Sequence, residues 1–296
     1  ELECPEADYL TGWSKGKEML KDGRIDTLKG SFYVNCSSHQ KKHFDQIQNT
    51  INFPQENFPE YLNPNVWPSC SILPGFKETF EAICHIIVDT AVWVARACDR
   101  FAEKTISDYK SGYLEEVIKS STTTKARLLY YYPTEKNCTE EIKSDQDDWC
   151  ATHVDHGCLT GLISAMYIDE TLQTPRIFNK PNSSISPPSL DELSECPDFT
   201  TGLYILSRSG ENVHIKIPRD CIAFQTGEAL ERVTHGQLKA VPHYVKAIQN
   251  DMSDRRVARS TLAVFTQPNL EDIVDFEKGI KFGDFARDIV KRNIVP

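Results

Sequence analysis

A histidine and an aspartate two residues apart, His153 and Asp155, are the residues of this chain best placed to bind a metal ion. On a β-strand, side chains two residues apart point to the same side, so the imidazole and the carboxylate can converge on one ion. Two histidines and one carboxylate on one face of an octahedron leave three coordination positions open, which is the non-haem Fe(II) arrangement. The pair therefore predicts two of the three ligands of such a site.

The same spacing occurs at His43 and Asp45, in a polar stretch with helical patterning. Residues two apart on a helix point in different directions, so we interpret this second pair as solvated surface. His153 and Asp155 differ because a turn at Gly157 and an apolar strand from Leu159 follow them. That context is expected for a ligand pair at the mouth of a β-barrel.

The third ligand has three candidates, His214, His235 and His243. The sequence around His235 predicts a turn exposed to solvent, and His214 lies on a short strand where a core or rim position is ordinary. His243 lies in the strand-like stretch LKAVPHYV, and Arg259 follows it at a workable distance on the next predicted strand. We therefore expect His243 to complete the site.

Arg259 and Thr261 are also two residues apart on a predicted strand and share a face. A guanidinium beside a hydroxyl can bind a carboxylate through charge-assisted, bidentate hydrogen bonds. A buried arginine without a partner is costly, so we expect either a ligand carboxylate or a protein carboxylate beside it. Both alternatives remain open at the level of sequence.

The elements that must position these residues differ between the two parts of the chain. Residues 9–120 are patterned as helices, most clearly at 76–105 and also at 109–119, and the tail from Asn269 returns to this pattern. Short β-strands are predicted at 126–132, 159–168, 202–208, 213–217, 221–226, 238–245 and 260–266. Such closely spaced strands without helical crossovers indicate an antiparallel barrel or jelly roll. The polar, Pro- and Ser-rich segment 179–192 is predicted to be a surface loop.

The composition of the chain limits its possible partners and its cellular location. The chain has 296 residues, enough for a large core, and a net charge of -10, which argues against nucleic acid as a partner. No apolar run is long enough for a membrane span. The ten cysteines are scattered without a C-x-x-C pair, which favours a reducing, cytoplasmic location. N-glycosylation motifs at Asn35, Asn137 and Asn182 count against that location. The chain begins at Glu1 and not at a methionine, so an N-terminal targeting segment could have been removed.

Five stretches, in this order and spacing, resemble the isopenicillin N synthase-like branch of the Fe(II)/2-oxoglutarate-dependent oxygenases. They are RLLYYYP at 127–133, HVDHGCLTGL at 153–162, FQTGEALE at 224–231, HGQLKAVPH at 235–243 and RST at 259–261. The resemblance covers 125–268, about half of the chain. It implies a double-stranded β-helix, or jelly-roll, core wrapped by N-terminal helices and followed by a C-terminal helix.

The resemblance also implies roles for individual residues. His153, Asp155 and His243 would bind Fe(II), while Arg259 and Thr261 would hold the distal carboxylate of the co-substrate 2-oxoglutarate. Tyr132, which precedes the proline of the first stretch, would add a hydrogen bond to that co-substrate. The implied reaction is oxidation of a C–H bond of a small molecule by O2, with ascorbate as a supporting reductant.

The resemblance divides the chain into a helical region at 1–124, the oxygenase core at 125–268 and a helical tail at 269–296. Two other functions stay open. One is a non-haem Fe(II) oxidase that works without 2-oxoglutarate, and the other is a catalytically silent member that binds a carboxylate or a protein partner. The substrate and the oligomeric state are left open.

Overall fold

The computed structural model describes residues 2–19, 23, 25–36, 58–133, 148–171, 191–248 and 255–293. Within these ranges no helix is both long and apolar enough to cross a membrane. His43 and Asp45, the motifs at Asn137 and Asn182, and nearly all of the 179–192 loop lie outside the described residues.

The described residues form fourteen strands and five α-helices. The strands, β1 to β14 in chain order, are Gly12–Lys15, Lys29–Asn35, Lys125–Tyr131, Asp148–His153, Leu159–Ile163, Met166–Asp169, Glu192–Leu193, Gly202–Leu206, Asn212–Ile215, Ile222–Thr226, His243–Lys246, Val257–Thr266, Ile273–Asp275 and Ile280–Lys281. The helices, α1 to α5, are Pro59–Leu62, Phe76–Thr105, Tyr113–Ser120, Glu228–Val233 and Phe282–Asn293.

Two antiparallel sheets form the core. The larger has the order β1-β2-β3-β12-β5-β10, with β6 paired to β12 and β7 paired to β6, and the smaller has the order β4-β11-β8-β9. A buried cluster between the sheets draws residues from both, including Leu129, Tyr131 and Ala263 from the larger sheet and Leu203 and Val245 from the smaller. The two sheets therefore pack face to face, as in a jelly roll.

Helix α2 covers the outer face of the larger sheet. Its buried residues recur at helical spacing, and Cys84, Ile87 and Ala91 are fully buried. A Cβ atom placed on Gly161 of β5 would come within 2.3 Å of the Ile87 side chain. The helix can approach the sheet closely at this point because the strand carries no side chain there.

The helix predicted at 76–105 is confirmed with those bounds, and the one predicted at 109–119 begins later, at Tyr113. The helical prediction for the N-terminal segment is wrong at 12–15 and 29–35, which are strands β1 and β2. Every residue of β2 is buried. A strand buried on both faces lacks the alternation that separates strand from helix in a sequence.

Two predicted strands differ most from the strands of the structure. The 159–168 strand divides into β5 and β6, which pair with opposite halves of the long strand β12. The 238–245 strand begins only at His243, after Pro242, which has no N–H to donate to a ladder. The division of the chain at 124 and 268 stays a prediction, although β1 and β2 hydrogen-bond into the same sheet as the core strands.

Candidate metal centre

The two histidines of the predicted site come from neighbouring strands of the smaller sheet. His153 is the last residue of β4 and His243 the first residue of β11, and the two are direct partners in the antiparallel register. Their ring centroids lie 4.2 Å apart. Asp155 follows two residues after His153 and is buried, as is His243. The pairing of two strands thus unites residues that are far apart in the chain.

The ligand atoms of these three residues converge. One ligand atom from each residue lies within 4.8 Å of the others, and this is the one such group among the described residues. Oδ1 of Asp155 is 3.9 Å from Nε2 of His153 and 3.9 Å from Nε2 of His243. The three atoms can therefore contact a single metal ion.

Hydrogen bonds select the tautomer of both rings. Nδ1 of His153 donates to the Ala151 carbonyl oxygen at 2.8 Å, and Nδ1 of His243 donates to the Val241 carbonyl oxygen at 3.0 Å. In each neutral ring the lone pair is then on Nε2, the atom that faces Asp155. Histidines that bind metals in proteins are held in the same way by their second nitrogen. The donor set fits a divalent iron ion.

The carboxylate of Asp155 is also oriented. Its Oδ2 accepts hydrogen bonds from the Thr160 hydroxyl at 2.6 Å and from Nε2 of Gln225 at 2.5 Å. Burial would raise the pKa of Asp155, but the two histidines and these two donors lower it below its ordinary value. The carboxylate is therefore ionised at neutral pH, with Oδ1 directed at the histidines.

Protonation of the two rings differs. Burial lowers the pKa of His243, so this ring is neutral at pH 7. Burial also opposes the charged form of His153, but Cys150 and Asp155 raise the pKa of that ring to about 9. Protonation therefore competes with metal binding at His153.

Sequence reasoning did not identify Gln225. Its amide nitrogen is also 3.0 Å from Nε2 of His243, so one side chain contacts two of the three ligands. It lies directly opposite Thr160 in the register of β10 and β5. Its position in the FQTGE stretch marked the segment as part of the family pattern, but only strand pairing brings the amide to Asp155.

The other two histidine candidates lie elsewhere. His235 is exposed in the turn after α4 with a φ of 48°. His214 stacks on Tyr204, with centroids 4.6 Å apart and rings inclined by 9°. Neither contributes to the metal-ligand group.

Arg259 projects from β12 into the space between the sheets. It is 6% exposed, and its Nε and Nη1 atoms are buried without a hydrogen-bond partner. Its guanidinium carbon lies 5.2 Å from the centroid of the Tyr131 ring, which is its direct partner on β3. No carboxylate among the described residues forms an ion pair with it. The described residues therefore supply no protein carboxylate as its partner.

The structure brings Thr261 to the same face as Arg259 but does not bring Tyr132 there. The Thr261 hydroxyl donates to the Ile163 carbonyl oxygen at 3.2 Å. The Tyr132 ring contacts Tyr130 at 5.2 Å and Nζ of Lys15 at 3.9 Å, on the opposite face of the sheet. Successive side chains of a strand point to opposite faces, so Tyr131 takes the inward position expected for Tyr132.

The chain matches no protein-family model and no curated protein. Several solved structures are similar to it. One is a protein assigned to the 2OG-Fe(II) oxygenase family from Caulobacter crescentus, with a TM-score of 0.60 and 17% identity, covering 96% of this chain and 76% of that one. Another is a full-length Neurospora crassa protein solved in complex with alpha-KG, with a TM-score of 0.59 and 17% identity, covering 98% and 75%.

A third similar structure is JOX2 in complex with 2OG, Fe and JA, with a TM-score of 0.58 and 14% identity, covering 99% of this chain and 71% of that one. At these identities the similarity establishes the fold. The predicted jelly-roll core is thereby confirmed, and the chain has the double-stranded β-helix fold of the Fe(II)/2-oxoglutarate oxygenases.

Proposed function

We propose that the protein is an Fe(II)- and 2-oxoglutarate-dependent dioxygenase that oxidises a C–H bond of a small molecule. The observation that carries this proposal is the convergence of two Nε2 atoms and one carboxylate oxygen within 4.8 Å. Both rings have Nδ1 bound to a carbonyl oxygen, which leaves Nε2 for a metal. A binding module without chemistry has no need for this set of ligands and orientations.

His153, Asp155 and His243 would hold the iron on one side, which leaves the other side for the co-substrate and O2. Iron held in this way supplies the redox chemistry that couples conversion of 2-oxoglutarate to succinate and CO2 with oxidation of the substrate. Arg259 would bind the distal carboxylate of 2-oxoglutarate. Its buried, unpartnered nitrogens support this role, because an anionic ligand removes the cost of leaving them without hydrogen bonds.

A small-molecule substrate is supported by the neighbours in the fold. The same Neurospora crassa protein has been solved with thymine, with a TM-score of 0.53 to this chain, and JOX2 has been solved with JA. The cytoplasmic location stays a prediction, which imaging of the tagged protein in its source cells would test.

The proposal is tested by titrating the metal-free protein with Fe(II) and then with 2-oxoglutarate in the absence of oxygen. A 2-oxoglutarate chelate of Fe(II) absorbs visible light, so its band reports the ternary complex directly. Admission of O2 should then yield succinate, with ascorbate sustaining turnover. We expect the His243→Ala variant to lose iron and the band, and the matched His235→Ala variant, changed in an exposed turn, to keep both.

Three outcomes separate the proposal from its alternatives. Iron binding with O2 consumption that is independent of 2-oxoglutarate would favour a co-substrate-free oxidase. A wild-type protein that binds no iron would favour a silent binding module. Normal succinate formation by His243→Ala would refute the assignment of the metal ligands.

A further inference from the structure

The carboxylate clamp expected from the sequence lacks a free hydroxyl. The Thr261 hydroxyl is already donated to the Ile163 carbonyl oxygen, and Tyr132 lies on the far face of the sheet. Arg259 is a buried cation with two nitrogens that lack a hydrogen-bond partner. Neither of the two hydroxyls predicted from the sequence is available to bind a carboxylate together with it. A carboxylate bound there would need a further donor from another residue.

Tyr167 occupies the position that such a donor requires. In the register of β6 and β12 it is the direct partner of Arg259, so both side chains leave the sheet on the same face. Both residues line one cavity of about 190 Å³, whose wall on the opposite side includes Leu203 of β8 and Ile215 of β9. Arg259 thus lies between two tyrosines, Tyr131 on β3 and Tyr167 on β6.

The Tyr167 hydroxyl reaches the backbone of the smaller sheet. A Cβ atom on Gly202, where φ is 128°, would lie 3.4 Å from the hydroxyl oxygen. No acceptor among the described residues receives a hydrogen bond from this hydroxyl. Burial raises the pKa of Tyr167, against the opposing effects of the Arg259 charge and a hydrogen bond from Arg259, so the phenol keeps its proton at neutral pH. The O–H is therefore a free donor beside a cation that has two unpartnered nitrogens.

We infer that Tyr167 and Arg259 together form the clamp for the distal carboxylate of a dicarboxylate ligand, with the phenol taking the part expected of Thr261 and Tyr132. This inference rests on the proposed function and names a residue that determines co-substrate specificity. The guanidinium donates through its free N–H groups and the phenol through its O–H, so one carboxylate receives charge-assisted hydrogen bonds from two strands. On the other side, the Tyr131 ring of β3 stabilises the guanidinium through a cation–π contact.

The test is the affinity of the iron-loaded protein for 2-oxoglutarate without oxygen, read from the visible band. Tyr167→Phe should weaken binding by roughly tenfold to a hundredfold, as expected for loss of a hydrogen bond to a charged group. Tyr132→Phe, the same substitution on the opposite face, should leave the affinity unchanged. Thr261→Val should have a small effect because its hydroxyl is engaged elsewhere.

A second probe separates ligand contact from a structural role. 2-Oxopentanoate keeps the keto-acid end but lacks the distal carboxylate, so its affinity should be the same in wild type and Tyr167→Phe. Iron affinity measured without any keto acid should also be unchanged in this variant. Equal weakening of both keto acids would show that Tyr167 acts only on the fold, and would overturn the inference.

The outcomes distinguish this inference from the proposed function. If the wild-type protein binds iron and 2-oxoglutarate while Tyr167→Phe binds 2-oxoglutarate equally well, only the clamp is wrong. If Tyr132→Phe weakens binding instead, the sequence-based assignment is restored. A wild-type protein that binds no 2-oxoglutarate overturns the proposed function, and the clamp with it.

Discussion

Substitution of Gln225 by leucine tests whether the hydrogen bonds around Asp155 prepare it for a metal. The amide donates to Oδ2 of Asp155 at 2.5 Å and lies 3.0 Å from Nε2 of His243. Leucine has a similar volume but no donor, so Oδ2 would keep only the hydrogen bond from Thr160. The carboxylate could then rotate away from the direction in which Oδ1 faces both histidines.

The expected effect on metal binding follows from opposing contributions. Loss of a hydrogen bond that orients a metal ligand typically lowers affinity roughly 10- to 100-fold. Here the amide also donates towards Nε2 of His243, the atom a metal must reach, and leucine removes that competition. We therefore expect the lower end of the range, roughly a tenfold loss, equivalent to about 1.4 kcal/mol.

Stability of the metal-free protein should change little in the same variant. The lost hydrogen bond to a carboxylate is worth about 1.5–3 kcal/mol. Against this, Oε1 of Gln225 is buried without a partner, and its removal regains about 1–3 kcal/mol. The metal-free variant should therefore unfold at nearly the wild-type denaturant concentration.

The assay is calorimetric titration of the metal-free protein with Fe(II) under anaerobic conditions, alongside denaturation in urea. Gln237→Leu is the matched control, because Gln237 is exposed in the turn before β11. Thr160→Val removes the other donor to Oδ2 and should weaken Fe(II) binding in the same direction. A Gln225→Leu protein with wild-type Fe(II) affinity would refute the reasoning that this amide orients Asp155.

Three further predictions concern charged side chains. Arg259→Met should stabilise the ligand-free protein by about 1–3 kcal/mol in urea denaturation, because it removes two unpartnered buried nitrogens; lower stability would contradict this. Burial would raise the pKa of Glu18, but Arg127 and Lys29 lower it from 4.5 to about 2. Its contribution to the free energy of unfolding is therefore complete above pH 4.5 and is lost as the pH falls towards about 2. In Glu18→Gln the free energy of unfolding should depend less on pH between these values. An unchanged dependence would count against the ion pairs. Lys125→Met should lower the free energy of unfolding by about 2–4 kcal/mol, because two main-chain carbonyl oxygens and one amide oxygen would lose their hydrogen bonds from Nζ; denaturation in urea with no loss of stability would show that water replaces it.

Much of the core was predictable because local patterns agreed with the tertiary environment. Helix α2 has one apolar face against a sheet, so its period of about 3.6 residues is visible over the whole of 76–105. Strand β2 is buried along its entire length, and a sequence with that burial shows no period that separates strand from helix. The split between β5 and β6 follows from the length of β12, to which both pair.

The residue types of the metal centre were determined by the sequence itself. His153, Asp155 and His243 supply the ligands, and Arg259 supplies a cation whose burial calls for an anionic partner. What only the tertiary structure decided is which neighbours act on these groups. Gln225 reaches Asp155 through the pairing of β10 with β5, and Tyr167 reaches Arg259 through the pairing of β6 with β12. Strand register depends on contacts between distant segments, and a shift of one residue exchanges the inward Tyr131 for the outward Tyr132.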